Sequence, residues 1–484
     1  MTLLERGIRS FIGRAAVVSV TAALLLLGAC SSKAPVEGVI LPPSDSISVV
    51  DRSVLWHTDE PARGLVRYGL DRGHLDHVAY PAAAAREDRS FVKEHRVTLL
   101  DVRAGRTIYY QVGVETSLSG CRFTAIDSFV SQLGPAPGVL TSTMVHIGFG
   151  DAHVLTMPTN GRHVLIDAGT REAAVSVRQY LLEHGIDAFS GMLATHVHID
   201  HIGGILGYDR GGILASHPPS IFYDSARKDV GSEKYAYSEV QSMIAEENVD
   251  EAVLHRFDTS SSVAALQWDP EVEVTVLNSG TPDDYVPDGY EGTDINNESI
   301  VLLIAYGDVR FVIGGDAEQE AEASMLAAFA PADLEVQYYK VQHHGLSDAS
   351  STAWVNTLRP RVAFIPNTAW SWDGDLEGAI SQTTGRLEAI GAQIYVIDDV
   401  PMIGEPRSMG IQHNITFATD GVSYEVRVET AQQTAPHKMA STASCVRGDP
   451  DLQNLFPLHD HEGDSGLDRV KTDSPPPTAD SSQE

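Results

Sequence analysis

Cysteine, positive charge and long apolar runs are all scarce in this 484-residue chain, and each scarcity removes a class of function. Cysteine occurs only at positions 30, 121 and 445. None stands beside a histidine or in a C-x-x-C pair, which argues against a catalytic thiol. Cys121 and Cys445 could form one disulfide in an oxidising compartment, but their positions do not say whether they meet. Lys and Arg number 34 against 66 Asp and Glu, for a formal charge of −32. That acidity favours solubility and disfavours unassisted binding of polyanions. A bound cation reverses the sign locally, so a phosphate-bearing substrate stays open. The apolar run Ala15–Leu27 is too short to span a bilayer comfortably. There are no internal repeats.

What is present reads as ordinary globular material, 43% hydrophobic with 41 Gly and 24 Pro, long enough for two or three domains. Arg6, Arg9 and Arg14 precede the apolar run, which ends in Leu27-Gly28-Ala29-Cys30. This N-terminus resembles a bacterial lipoprotein signal, which implies cleavage before Cys30 and lipid attachment there. A plain secretory signal with an incidental Cys30 is the alternative. The expectation is residues 1–29 as signal peptide, 30–45 as tether, and an exported protein lipid-anchored to a bacterial membrane. It would sit at the outer membrane or cell surface, facing periplasm or exterior.

Residues 46–133 show short alternating runs separated by turns, such as Ser53–Thr58, Gly64–Gly69, Glu94–Leu100 and Arg106–Val112. That spacing predicts a small antiparallel sandwich with Trp56, Tyr68 and Tyr110 in its core. The stretch HRVTLLDVRAGRTIYYQV resembles a fibronectin type III-like domain of the kind placed before secreted phosphatases. Gly134-Pro135-Ala136-Pro137-Gly138 closes the unit, and from Val139 to Glu429 strands alternate with helical segments, the signature of an α/β domain. Residues 430–484 read as a disordered acidic tail, in which His459-Asp460-His461 is solvated sequence.

His196-Val197-His198-Ile199-Asp200-His201 carries most of the chemistry. The apolar run Met192-Leu193-Ala194 delivers these four candidate ligands into a tight loop, where imidazoles and a carboxylate can converge on one cation. Upstream, His163–Ile166 reads as a buried strand ending in Asp167-Ala168-Gly169; Asp167 would orient a ligand histidine or cap the following helix. Downstream, Val309–Ile313 leads through two glycines to Asp316, a candidate bridge between two ions. A third strand ends in His343-His344-Gly345: His343 would complete the second ion's site, and His344 would serve as general acid or oxyanion donor.

The order Asp167-x-Gly169, His196/His198/Asp200/His201, Asp316, His343 resembles the metallo-β-lactamase superfamily. The segments MVHIGFGDAHVL, DHIGG, NNESIVLLIAYGDVRFVIGGDAEQEAE and VQHHG are similar to the hydrolase domain of DNA-uptake competence channels. Phosphorylcholine esterases of that superfamily are similar too. The resemblance implies a four-layered αββα sandwich over about 139–429, with a dinuclear cleft at its edge. By position, His196 and His198 would bind one ion, Asp200, His201 and His343 the other, with Asp316 between. Three departures stand out. No histidine with a strand-end signature follows the first cluster, only His217 and His255, so water or a neighbouring carboxylate would complete the first site. Leu346 stands where that type has serine, and Pro366-Asn367-Thr368-Ala369-Trp370 lacks its His-Pro element.

The function this implies is hydrolysis of phosphodiester or phosphorylated surface substrates by a metal-activated hydroxide, with Asp200 aiming it. Zinc is the first choice for two divalent ions, manganese or iron the alternatives. Nucleic acid enters only as a substrate. The competing readings are a carboxylic ester, lactone or β-lactam hydrolase, and a non-catalytic metal-binding surface lipoprotein.

Overall fold

Ser53–Gly69 forms one continuous strand of 17 residues in the computed structural model, where the sequence pattern suggested two runs with a turn between. Asp59–Arg63 contains Pro61 but no turn-forming Asn-Gly or Gly-Gly pair, and the strand passes through it with a register shift between His57 and Ala62. Its first half pairs with Val92–Thr98, its second with Thr107–Ser117 and His77–Tyr80. Val54, Trp56, Tyr68, Val97, Tyr110 and Val112 pack together between these strands, so the three aromatic residues are buried.

The structure describes residues 40–43, 46–81, 92–117, 120–225, 236–254, 266–279, 293–366, 376–397, 408–411 and 413–429. The signal segment 1–29, Cys30, most of the tether, His255 and residues 430–484 lie outside them, as does the side chain of Cys121. Contacts divide the chain into Met1–Ala34 and Pro35–Glu484, and all that is described belongs to the second unit. Among the described residues no helix is long and apolar enough to cross a membrane.

The α/β part is a four-layered sandwich. One sheet runs from Asp250–Val253 through Ile221–Asp224, Gly191–Leu193, His163–Ile166, His153–Thr156, Leu140–Met144 and Ile415–Thr419 to Tyr424–Val428. The other runs Val272–Asn278, Val301–Tyr306, Val309–Gly314, Tyr338–Lys340, Val362–Pro366, Gln393–Ile397, Ser408–Ile411. Leu155, Ile166, Leu193 and Tyr223 face Leu302, Phe311, Tyr338 and Phe364 between the sheets. Alternate residues point the other way: Leu165, Met192 and Phe222 pack under the helices Ala174–His184, Ile199–Leu206 and Ala236–Glu247. On the far side Val312, Tyr339 and Ala363 meet Met325, Trp354 and Leu387 from three further helices. Strands covered on both faces are mainly apolar, which is why most of these runs show little alternation with polar residues.

The first sheet does not stop at the Gly/Pro segment 134–138. Tyr424–Val428 pairs with His77–Tyr80, so the N-terminal strands continue the sheet of the α/β part. Parallel strands in both sheets carry the ligand-bearing turns at their carboxyl ends, the usual location for a site in an open α/β sheet.

Candidate metal centre

Helix Ile199–Leu206 starts directly after His198, whose extended backbone (φ −65°, ψ 145°) turns the chain from strand to helix. Close packing sets the helix in place. A Cβ on Gly204 would lie 1.9 Å from the carbonyl oxygen of Ala168, so only glycine lets the helix press against the Asp167–Gly169 turn. Gly150 (φ +105°) makes the same kind of approach to the Asp200 carbonyl, 2.1 Å from where its Cβ would stand.

Two groups of ligand atoms share Asp316. His196, His198 and Asp316 form one; Asp200, His201, Asp316 and His344 form the other, each with its atoms within 4.8 Å of one another. Asp316 Oδ2 lies 3.9 Å from His196 Nε2, 3.1 Å from His201 Nε2 and 3.4 Å from His344 Nε2. His344 Nε2 is also 3.2 Å from Asp200 Oδ2. Despite these distances, His201 Nε2, His344 Nε2 and Asp316 Oδ1 make no hydrogen bond, although all are buried. Orphaned buried atoms are rare. Donor atoms that crowd together without pairing, two imidazole nitrogens and a carboxylate, fit a shared divalent cation.

Position 344, not 343, therefore supplies the imidazole to the second group. Both residues have positive φ, 46° and 51°, in a tight turn after Tyr338–Lys340. The turn swings His343 outward: its Nδ1 is 2.9 Å from Asp348 Oδ1 and 3.7 Å from Glu318 Oε1. His344 faces inward, with Nδ1 donating to the Pro366 carbonyl at 2.9 Å and Phe149 against its ring at 5.1 Å. Expected as general acid or oxyanion donor, His344 stands with Asp200, His201 and Asp316.

Asp167 (φ 56°) accepts from the backbone N–H of Thr195 at 2.8 Å, from its hydroxyl at 2.6 Å and from His201 Nδ1 at 2.8 Å. That fixes the His201 ring with Nε2 toward Asp316. It caps no helix, since the next begins at Ala174 behind Ala173. His217 lies away from both groups, beside Ser216 and Phe189. Asp151 and Lys340 are two residues that sequence reasoning missed. Lys340 in the apolar run Tyr338–Val341 was the available signal, because a lysine between buried neighbours needs a partner.

Charge divides the two groups. Burial, with the neighbouring histidines, drives His196 well below the ordinary imidazole range, and burial also lowers His198. Burial alone would lower His201 and His344 too, but the surrounding carboxylates, Asp316 foremost, outweigh it: His201 rises well above the usual range and His344 to about 10. Against its own burial, Asp200 falls to about 2 through His201 and His344. Protons on those two rings stand in for the charge of a cation.

The sequence model of the metallo-β-lactamase superfamily matches residues 147–382, which hold every ligand named above. This domain belongs to the metallo-β-lactamase superfamily. Members of that superfamily are typically metal-dependent hydrolases. The chain is similar to ComE operon protein 3 of Bacillus subtilis (strain 168), 22% identical over 238 residues, covering 46% of this chain and 27% of that protein. The chain thus spans well under half the length of that relative. Among solved structures it is similar to MEM-A1, a subclass B3 metallo-β-lactamase from a soil metagenome library (12% identity, 51% of this chain and 93% of that one, TM-score 0.27). It is also similar to a diphosphatase of the PhnP family (12%, 47% and 85%, TM-score 0.26) and to a Cronobacter sakazakii metallo-β-lactamase (14%, 42% and 76%, TM-score 0.25).

Proposed function

We propose that the chain is an exported, lipid-anchored hydrolase of phosphodiester or phosphorylated surface substrates, working with two divalent ions, zinc first among them. The observation that carries the two-ion reading is Asp316, shared by both ligand groups. Two such ions supply an activated water and a clamp for the oxygen that gains charge during hydrolysis.

The chain's own residues have distinct tasks. His196 and His198 would hold one ion; Asp200, His201 and His344 would hold the other, with Asp316 common to both groups. Asp200, whose Oδ2 lies 3.2 Å from His344 Nε2, would accept a hydrogen bond from the attacking water and aim it. His343 lies outside both groups, held by Asp348 with its ring centre 6.3 Å from that of His344, and is our candidate for donating a proton to the leaving oxygen. Phe149 beside His344 gives the centre an apolar wall. The preference for phosphoryl over acyl substrates rests on the motif resemblance, because this ligand set suits either. Arg6, Arg9 and Arg14 ahead of Ala15–Leu27 and Cys30 support export and anchoring.

The test compares bis-p-nitrophenyl phosphate, p-nitrophenyl esters and nitrocefin on the zinc-loaded full chain. Turnover of the phosphodiester alone supports the proposal. Faster turnover of an ester or nitrocefin shifts it to acyl hydrolysis, and bound metal without turnover of any of them refutes an enzyme of these classes.

A further inference from the structure

Lys340 ends the strand Tyr338–Lys340 with no solvent exposure at all. Its Nζ forms an ion pair with Asp151 and donates to the carbonyls of Gly314 at 2.8 Å and Gly315 at 3.3 Å. Asp151 is itself 1% exposed, and apart from this ion pair neither carboxylate oxygen makes a hydrogen bond. Burying such a pair contributes little to stability over apolar residues of the same size, because desolvation offsets the attraction. Its position suggests another use.

Asp151 stands behind the second ligand group. Its Oδ1 is 3.4 Å from His344 Nδ1 and its Oδ2 3.8 Å from His201 Nδ1, the ring nitrogens that face away from the other ligands. A negative charge there favours the Nδ1–H tautomer of both rings and turns both Nε2 lone pairs inward. The backbone of Asp151 joins the same assembly, its N–H donating to the Asp200 carbonyl at 3.1 Å and its carbonyl accepting from Gly169 at 2.7 Å. Lys340 in turn pins the Gly314–Gly315 turn that presents Asp316, and its own strand leads to His344. His196 and His198 share none of these bonds.

We propose that the buried Lys340–Asp151 ion pair is a positioning pair chiefly for the second ligand group, setting how tightly Asp200, His201, Asp316 and His344 hold a cation and reaching the first group only through the shared Asp316. This rests on the two-ion reading above. The pair holds the Asp316 turn, the Asp200 turn and two imidazoles in one register, and leaves the His196–His198 side to its own packing.

The test is cobalt(II) titration of the metal-free full chain, following visible absorption and competition with a chelator. Wild type, Lys340→Met, Lys340→Arg, Asp151→Asn and the double variant Lys340→Met/Asp151→Asn are compared, each checked for folding by circular dichroism and melting. Wild type is expected to take two equivalents. In the single Met and Asn variants one equivalent weakens at least about 10-fold, with an altered spectrum, while the other changes much less. Lys340→Arg recovers part of the loss. The double variant leaves no unpaired buried charge, so it melts close to wild type yet stays weak at one site. Folded variants that bind both equivalents as wild type does, or weaken both equally, overturn the positioning role. A wild-type chain that binds fewer than two equivalents overturns the two-ion reading instead.

Discussion

The hydroxyl of Tyr68 donates to Glu425 Oε2 at 2.6 Å, joining residues 357 positions apart across the line where the N-terminal strands meet the α/β sheet. The same oxygen accepts from the Leu100 backbone at 3.0 Å, while Arg427 Nε donates to the other at 2.8 Å. The Tyr68 oxygen also accepts from the Asp101 N–H at 3.1 Å. Tyr68→Phe removes two of these bonds from a buried network and is expected to destabilise by about 1–3 kcal/mol. Calorimetry should show one transition shifted down in temperature, with metal content unchanged. Two separate transitions would mean that the continuous sheet does not couple the parts.

His77 sits in the same seam, between Asp76 at 2.9 Å and Asp101 at 3.3 Å. Burial would lower it, but the two carboxylates prevail and raise it from 6.5 to about 9. Its folded-state value lies above the unfolded one, so its contribution is complete below about 6.5 and is lost as pH rises through about 9. The melting temperature of wild type should therefore fall more steeply over that window than that of His77→Gln. Parallel profiles would remove His77 from the account.

The outward and inward turns of the histidine pair give opposite expectations. His344→Ala should release one ion, by at least a 10-fold loss of affinity as for an essential ligand. His343→Ala should retain both ions and lose turnover by roughly 10²–10⁴-fold, the range for a removed proton donor. Metal analysis beside rate measurements distinguishes them, and loss of metal on changing His343 would reverse the assignment.

Proton release probes the charge division. At neutral pH the ion-free second group carries protons on His201 and His344, whereas His196 and His198 are already neutral. Cation uptake should then release about two protons per chain in weakly buffered solution, all of them with the second group. Uptake without proton release would contradict the raised values.

How much of this was legible in the sequence depends on the element. Ligand-bearing turns are readable because each follows a largely apolar strand and has small residues beside it, and Gly204 shows why: a methyl group there would meet the Ala168 carbonyl. Gly204→Ala is accordingly expected to cost about 1–3 kcal/mol by overpacking and to weaken metal binding through His201. Which of His343 and His344 faces inward was not legible, since both residues leave the strand in the left-handed region and the period-two rule no longer applies. The continuous strand through Pro61 was hidden for a related reason: a bulge keeps pairing alive where a turn looked natural. Asp151 was passed over because its partners, Lys340, His201 and His344, come from distant turns.

The most direct test of the account is the number of divalent ions held per chain by wild type and by Asp316→Ala, measured by elemental analysis after zinc loading and desalting. With one carboxylate serving both groups, wild type should hold two and the variant fewer than one. Two ions retained in Asp316→Ala, or no more than one in wild type, would contradict a shared centre.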